Sequence, residues 1–206
     1  TLIKSAADFI SEEAPSYQYV ASRLINDHLR KQVYGDYAPW PLLKLVEHNV
    51  ESGFYDRGLL EAYDTDEWEK LDSYIKHDRD ETFTYVAMEQ WRGKYLVQNR
   101  VTGEMFETPQ MAYMLIAATL FQDYPKDIRL KWVSDYYDAI SNFDVSLPTP
   151  VMAGVRTPQK QFSSCVLIET DDSLDSINAT AASIVKYVSQ KAGIGIGAGR
   201  IRALGA

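Results

Sequence analysis

The sequence of 206 residues contains a single cysteine, Cys165, and this scarcity excludes several kinds of site. One thiol cannot form an internal disulfide, and it cannot supply a Cys-x-x-Cys metal site. A redox or metal role for Cys165 would therefore need partner groups from outside the chain. The residues alone leave two readings open: a small side chain packed on an apolar strand, or a reactive thiol without an adjacent His or Lys to activate it.

Long apolar runs and basic blocks are also missing. The longest apolar run, residues 113–121, is much shorter than the roughly 20 residues that span a bilayer, and the N-terminus lacks a signal-peptide pattern. No block or stripe of Lys and Arg stands out in a chain whose net charge is −8. We therefore expect a soluble, cytoplasmic protein with neither a nucleic-acid nor a membrane partner.

Most of the first 145 residues carry helical patterns. A long segment with apolar residues at helical spacing is predicted to end at Gly35. Pro41 predicts the start of a second helix that closes near Gly53, and Asp64 with Glu67 brackets the start of a third. These segments predict the layers of a helical bundle.

Extended patterns interrupt or follow the helices in two places. Residues 94–108 contain two short extended runs around Thr102 and Gly103, which is typical of a hairpin. Beyond Pro150 the pattern changes, and residues 152–155 are predicted to be extended. A domain boundary is predicted within residues 149–161.

The last part of the chain predicts a strand, a turn, a helix and a glycine loop. Residues 165–168 are predicted to form a buried strand, because four consecutive apolar residues leave no face for solvent. Asp172 or Ser173 is expected to cap a helix with a continuous apolar stripe that ends before Gly193.

The glycine segment GIGIGAGR, residues 193–200, invites comparison with phosphate-binding loops. It fails as G-x-G-x-x-G because the third glycine is absent and because it follows a helix instead of a strand. Two readings remain: a plain flexible connection, or an anion-binding loop whose backbone amides act with Arg200 and Arg202.

Two further patterns have ordinary alternatives. A carboxylate at Asp172 could accept a hydrogen bond from a ribose hydroxyl, but it could equally be a helix N-cap without a ligand. His77 in KHDRDE suggests a His–Asp couple, yet neither G-x-S-x-G nor H-E-x-x-H is present, and a solvated helix end is the preferred interpretation.

The chain resembles the large, catalytic subunit of class I ribonucleotide reductase across essentially its whole length. The resemblance rests on HDRDETFTY, GKYLVQNRVTGE, SLPTPVMAGVRTP and the segment from RTPQKQFSSCVLIE to AGRIRALG. It implies a mainly α N-terminal helical domain followed by the first strand–helix unit of a ten-stranded α/β barrel. The implied domains are a remnant of an ATP-cone (residues 1–34), the helical domain (35–150) and the start of the barrel with its specificity-site helix and loop (151–206).

The resemblance also implies roles for individual residues. Cys165 matches one of two thiols that reduce the ribose 2′ carbon, and its mate lies outside this chain. The residues matching the other nucleotide contacts are Thr149, Ser164 and Ala192 for the substrate, Asp172, Ser173, Leu174 and Arg202 for a deoxynucleoside triphosphate effector, and Lys31 for ATP in the cone remnant. Residues 173–190 match a dimer helix, and the loop from Ile196 onward matches the first specificity loop.

The implied activity is reduction of ribonucleoside diphosphates to deoxyribonucleotides for DNA synthesis, with no directly bound cofactor or metal and with dNTP and ATP as allosteric effectors. The implied partners are the remainder of the large subunit, a second large subunit, a small subunit that supplies the radical from its metal centre, and thioredoxin or glutaredoxin.

Two departures from the family pattern shape these expectations. Gly197 stands where GIGINAGR would place asparagine, which is expected to add backbone freedom. The chain lacks the radical cysteine and the glycine-rich lid of the cone, so we expect the isolated chain to be inactive and its cone remnant not to bind ATP. The alternative is a truncated, non-catalytic module for nucleotide binding or dimerisation.

Overall fold

The computed structural model describes residues 2–190 and 192–205. These residues form two compact units, one up to residue 159 and one from residue 160 onward. The first unit is mainly helical and the second contains strands and a helix, as the predicted fold class requires. Among the described residues, none of the helices has both the length and the apolar character needed to cross a bilayer.

The described part of the first unit is built from helices joined by short connections. Its α-helices are α1 (Leu2–Asp8), α2 (Tyr17–Tyr34), α3 (Leu42–Glu51), α4 (Arg57–Ala62), α5 (Thr65–Tyr74), α6 (Tyr85–Gln90), α7 (Pro109–Phe121), α8 (Lys126–Ser141) and α9 (Thr149–Gly154). A 3₁₀-helix at His77–Thr82 precedes α6, and a π-helix at Trp91–Tyr95 follows it.

The predicted helix boundaries are confirmed by their capping geometry. Helix α2 ends at Gly35, whose φ of 75° is the left-handed conformation that glycine adopts without steric cost. Pro41 is the N-cap residue of α3. At α5, Asp64 accepts a hydrogen bond from the Glu67 backbone N–H while the Glu67 side chain accepts one from the Asp64 backbone N–H, which forms a complete capping box.

Helix α7 is the centre of the first unit. Ten of its 13 residues, Pro109 to Ala118, are buried. The helix packs against α8, α9 and the 3₁₀-helix. A helix that is apolar on every face is typical of a core surrounded by other elements. The elements around α7 supply the polar faces of the unit.

The predicted hairpin is confirmed in a reduced form. Gln98 and Met105 form one antiparallel bridge, and Gly103 closes the turn with a φ of 76°. The Asn99 side chain accepts a hydrogen bond from the Val101 backbone N–H at 2.9 Å. The start of the predicted segment belongs instead to the π-helix.

The prediction of extended backbone at residues 152–155 is wrong, because α9 covers Thr149–Gly154. Pro150 lies in the first turn of α9, where proline is favoured because its missing N–H would have no helical partner there. Met152 and Ala153 are buried, and a short, fully buried apolar run carries no periodicity that separates a helix from a strand.

The second unit is a strand–helix–strand arrangement. Strand β1 (Cys165–Glu169), helix α10 (Leu174–Ser189) and strand β2 (Gly193–Gly197) follow one another, and β1 pairs with β2 in parallel, with Cys165 opposite Gly193. The predicted strand and the helix beginning after Ser173 are confirmed.

The prediction of a glycine loop is wrong for residues 193–197, which form β2. In β2, side chains of β1 occupy the space beside two of the glycines: a Cβ on Gly195 would lie 2.6 Å from Leu167 Cδ2, and one on Gly197 would overlap the Glu169 carboxylate unless that side chain moved. The glycines that suggested a flexible loop instead make room for side chains of β1.

The prediction that residues 165–168 are buried is also wrong. Side chains alternate along β1, so that Val166 and Ile168 are half-buried whereas Cys165 and Leu167 are exposed, Leu167 by 88%. Successive side chains of a strand point to opposite faces, and α10 packs against this two-stranded sheet. The apolar run therefore buries one face of β1 rather than both.

The first unit also buries two ionisable side chains at the 3₁₀-helix. Asp80 is fully buried, and this burial raises the pKa of its carboxyl to about 7, although nearby Gln110 and the charge of Arg30 act in the opposite direction. His77 is half-buried instead of lying at a solvated helix end, and burial together with Arg30 lowers the pKa of His77 to about 4.

These two groups should give opposite pH dependences of stability. Asp80 binds its proton more tightly in the folded state than in the unfolded state. Its contribution to the free energy of unfolding therefore falls as pH rises from about 4 to about 7. His77 binds its proton less tightly in the folded state, so its contribution rises from about pH 4 to about pH 6.5. Each slope is at most about 1.4 kcal/mol per pH unit. In the Asp80→Asn variant, the free energy of unfolding should rise with pH over this range because only the His77 effect remains. In the His77→Gln variant it should fall because only the Asp80 effect remains.

The measurement is urea unfolding at several pH values between 4.5 and 8, followed by tryptophan fluorescence. All four tryptophans lie in the first unit, so the signal reports on the unit that contains both groups. Variant curves that run parallel to the parent curve at every pH would contradict the assignment.

Candidate functional site

Cys165 is the first residue of β1, and its side chain is exposed. The Ser164 hydroxyl lies 3.8 Å from its sulfur, and the Ser163 hydroxyl donates a hydrogen bond to its carbonyl oxygen at 3.2 Å. An exposed thiol does not fill a core, so the packing interpretation of Cys165 is wrong for this unit. The exposure instead leaves the sulfur accessible to other molecules.

The parallel pairing brings two further predicted residues beside this thiol. The Gly193 backbone N–H donates to the Ser164 carbonyl at 2.8 Å, and this places Ala192 next to the start of β1. Ala192 is buried, and its backbone N–H donates to the Tyr187 carbonyl at the end of α10 at 3.1 Å. Ser164, Cys165 and Ala192 therefore meet at one end of the sheet.

Thr149, the other residue matched to the substrate, belongs to the first unit. It is half-buried and opens α9.

The turn between β1 and α10 holds the residues matched to an effector. Ser173 is the N-cap residue of α10, since its hydroxyl accepts a hydrogen bond from the Ser176 backbone N–H at 3.1 Å. The Ser176 hydroxyl in turn accepts one from the Asp171 backbone N–H at 2.9 Å. Asp172 is therefore free of the capping role, and the neighbouring Leu174 is 80% exposed.

Asp172 forms an ion pair with Arg202, whose Nε lies 2.6 Å from Asp172 Oδ2. Arg200 forms a second pair at the same turn, 3.0 Å from Asp171 Oδ1, and it lies 3.8 Å from Glu169 Oε2. Both arginine side chains are more than 60% exposed, so these pairs contribute little to stability and exchange readily with other anions. The structure thus brings Asp172, Ser173, Leu174 and Arg202 together beside Arg200.

Two other features were predicted to take part in binding. Lys31 is exposed in the last turn of α2, and its ammonium group lies 4.4 Å from the centroid of the Tyr37 ring. Helix α10 exposes large apolar side chains, with Leu174, Val185 and Val188 each more than half exposed. Exposed apolar side chains clustered on one helix are typical of an interaction surface.

Comparison with known proteins covers both units. A family model described as "Ribonucleotide reductase, all-alpha domain" matches residues 81–160. A second, described as "Ribonucleotide reductase, barrel domain", matches residues 163–206. The two matches together cover more than half of the chain and meet close to the division between the two units.

Curated relatives match over the full chain. It is 61% identical over 205 residues to "Ribonucleoside-diphosphate reductase 1 subunit alpha" of Escherichia coli (strain K12). It is 60% identical to the alpha subunit of Haemophilus influenzae, and 52% identical over 204 residues to that of Enterobacteria phage T4. These matches cover 99–100% of the chain but 27% of each relative, so the chain spans about a quarter of their length.

The geometry of the turn predicts different effects for its two adjacent side chains. Ser173→Ala removes the N-cap and should destabilise α10 by about 1 kcal/mol, whereas Asp172→Ala removes only an exposed ion pair and should cost less than about 0.5 kcal/mol. Amide hydrogen exchange in the first turns of α10 is the measurement. Equal acceleration of exchange in the two variants would contradict the assignment of Ser173 as the cap.

Proposed function

The chain belongs to the ribonucleotide reductase large-subunit family, and on that basis we propose that it is a segment of a ribonucleoside-diphosphate reductase alpha subunit. The observation that carries the proposal is 61% identity along the whole chain, with Cys165 exposed at the start of β1. The proposed substrates are ribonucleoside diphosphates, and the products are deoxyribonucleoside diphosphates for DNA synthesis. The segment does not act alone in this proposal, because the necessary second thiol is not in it.

Cys165 acts as one of two reducing thiols in the proposed reaction. A thiyl radical on a cysteine outside this segment removes the hydrogen atom from the ribose 3′ carbon and later returns it. The 2′ hydroxyl leaves as water, and the two thiols become a disulfide while the 2′ carbon gains a hydrogen. Each turnover therefore consumes two thiols and needs an external dithiol, for which thioredoxin or glutaredoxin is suited.

The surroundings of Cys165 support a nucleotide at this position. The Ser164 hydroxyl can hydrogen-bond to a sugar or phosphate oxygen, and Ala192 is held beside it by the start of β2. Thr149, in the first unit, is proposed as a substrate contact only because it matches such a position of the family. We assign these three residues to substrate binding.

The turn before α10 is proposed to bind a deoxynucleoside triphosphate. Arg202 contacts the phosphates, while Asp172, Ser173 and Leu174 contact the nucleoside. Guanidinium groups suit phosphate because they can donate two parallel hydrogen bonds to its oxygens. The exposed apolar side chains of α10 are proposed to pair with a second alpha subunit.

The remaining proposed partners follow from the family. The rest of the alpha subunit completes the barrel, and a small subunit supplies the radical from its metal centre. The assembled enzyme is proposed to work in the cytoplasm. Lys31 matches the ATP-contacting lysine of the family's cone, but the remnant itself is not proposed to bind ATP.

A second candidate function is a non-catalytic module that binds nucleotides or pairs with an alpha subunit. The exposed apolar side chains of α10 and the two exposed arginines of the turn favour this alternative, because neither feature requires a complete active site. It predicts binding without turnover.

The catalytic role of Cys165 is tested in the full-length subunit, assembled with its small subunit and supplied with dithiol. Cys165→Ser and Cys165→Ala should abolish multiple-turnover formation of deoxynucleotide, because neither side chain can be oxidised to a disulfide. Ser163→Ala, the control, should keep activity close to that of the parent. Thermal unfolding of each variant checks that the fold is intact, since Cys165 is exposed and its replacement should cost little stability.

A serine variant that turned over at the parental rate would overturn the role of Cys165. A folded parent subunit that bound nucleotides but never reduced them would favour the non-catalytic module.

The effector role of Asp172 predicts a separate effect on base choice. Asp172→Ala in the full-length enzyme should weaken control by dTTP or dGTP by about 1–3 kcal/mol, as expected for loss of a charged hydrogen-bond partner, and should affect basal turnover less. Asp175→Ala is a matched control because it removes another carboxylate from the first turn of α10. A substrate-competition assay measures the effect, and an unchanged response in the Asp172 variant would remove this residue from the site.

A further inference from the structure

Glu107 and Arg156 form an ion pair whose two side chains are completely buried in the first unit. Arg156 Nε donates to Glu107 Oε2 at 2.7 Å, and Nη2 donates to Oε1, so that the guanidinium and the carboxylate meet along two parallel bonds. Tyr55 donates its hydroxyl to Glu107 Oε2 at 2.6 Å, and the Val97 backbone N–H donates to Oε1 at 2.6 Å. The carboxylate is thereby fully hydrogen-bonded.

Arg156 connects this pair directly to α9. Its Nη1 donates to the Met152 carbonyl inside the helix at 2.7 Å, and its Nη2 donates to the Tyr95 carbonyl at 3.2 Å. The Arg156 backbone carbonyl accepts a hydrogen bond from the Asp56 N–H at 3.0 Å. Helix α9 is therefore tied from its last turn to three separate segments of the unit.

The segment leading into α9 is held from the other side. Phe143 has a φ of 67°, a left-handed conformation that is rare for a bulky residue and persists only where the surroundings enforce it. Its ring lies 5.5 Å from that of Phe83, measured between centroids. Along the chain, Thr149 lies between Phe143 and Arg156.

A buried ion pair is an expensive way to gain stability, because apolar residues of similar volume are often at least as stabilising. What the pair adds is geometry, because its parallel hydrogen bonds fix the orientation of the groups that they join. We propose that Glu107 and Arg156 are positioning residues that fix α9 so that Thr149 presents its hydroxyl to the substrate nucleotide. This inference rests on the proposed function, because Thr149 is a substrate contact only by family resemblance.

The first unit contains a second buried ion pair that serves as a matched control. Arg129 Nε donates to Glu67 Oε1 at 2.7 Å, and the two side chains are 5% and 8% exposed. This pair joins α5 to the beginning of α8, and among the described residues neither side chain hydrogen-bonds to α9. Breaking it should therefore affect stability without moving Thr149.

The test compares Arg156→Lys and Glu107→Gln with Arg129→Lys and Glu67→Gln in the full-length subunit assembled with its small subunit. Arg156→Lys and Glu107→Gln should raise KM for the ribonucleoside diphosphate by roughly tenfold, since small displacements of a positioning group have large effects. The Arg129 and Glu67 variants should lower Tm by a similar amount and leave KM unchanged. Loss of folded protein alone would lower kcat in both pairs without changing KM.

Tyr55→Phe keeps the proposal testable if a charge variant does not fold, because it removes one hydrogen bond to Glu107 and keeps the ring. It should raise KM several-fold. Tyr63→Phe, which removes a buried hydroxyl bonded to the Ala118 carbonyl at 2.7 Å, should not. Equal KM values across both sets of variants, in an active parent enzyme, would overturn the inference alone. A parent subunit that reduced no nucleotide would overturn the proposed function and the inference together.

Discussion

The ion pair between Glu107 and Arg156 is the constraint on which the first unit most depends. It joins residues 49 positions apart and, with Tyr55, links the hairpin, α9 and the residue before α4 at one fully buried point. Removing either partner of such a pair would leave an uncompensated buried charge, at a cost of about 3–5 kcal/mol. The pair therefore connects several segments that are distant in sequence to the end of α9.

Charge is handled differently elsewhere in the chain. Within the part of the chain that the structure describes, the buried Asp80 carboxyl forms no ion pair, and burial raises its pKa instead. At the β1–α10 turn, by contrast, Arg200 and Arg202 pair with carboxylates while more than half exposed, so solvent weakens both pairs. The buried pairs thus join distant segments of the helical unit, whereas the exposed pairs of the turn add little to stability.

At Gly197, the interpretation from the sequence differs from the environment in the structure. The sequence suggests added backbone freedom at this position. In the structure, Gly197 belongs to β2 and lies opposite Glu169, whose carboxylate takes the space that a side chain at position 197 would need. That carboxylate also lies 3.8 Å from Arg200. The Glu169 carboxylate therefore lies over Gly197, in space that the glycine leaves open.

The sequence by itself determined the features that depend on neighbouring residues. Gly35, Pro41 and the Asp64–Glu67 box act within one helical turn, so the ends of α2, α3 and α5 were predictable, as was the helix after Ser173. The candidate residues around Cys165 and Asp172 came from a resemblance carried by contiguous motifs. Only the tertiary structure decided that residues 149–154 are helical, that residues 193–197 form a strand, that Cys165 is exposed, and that Glu107 meets Arg156. Each of these features depends on contacts with segments that are distant in sequence, and a local sequence pattern does not identify those segments.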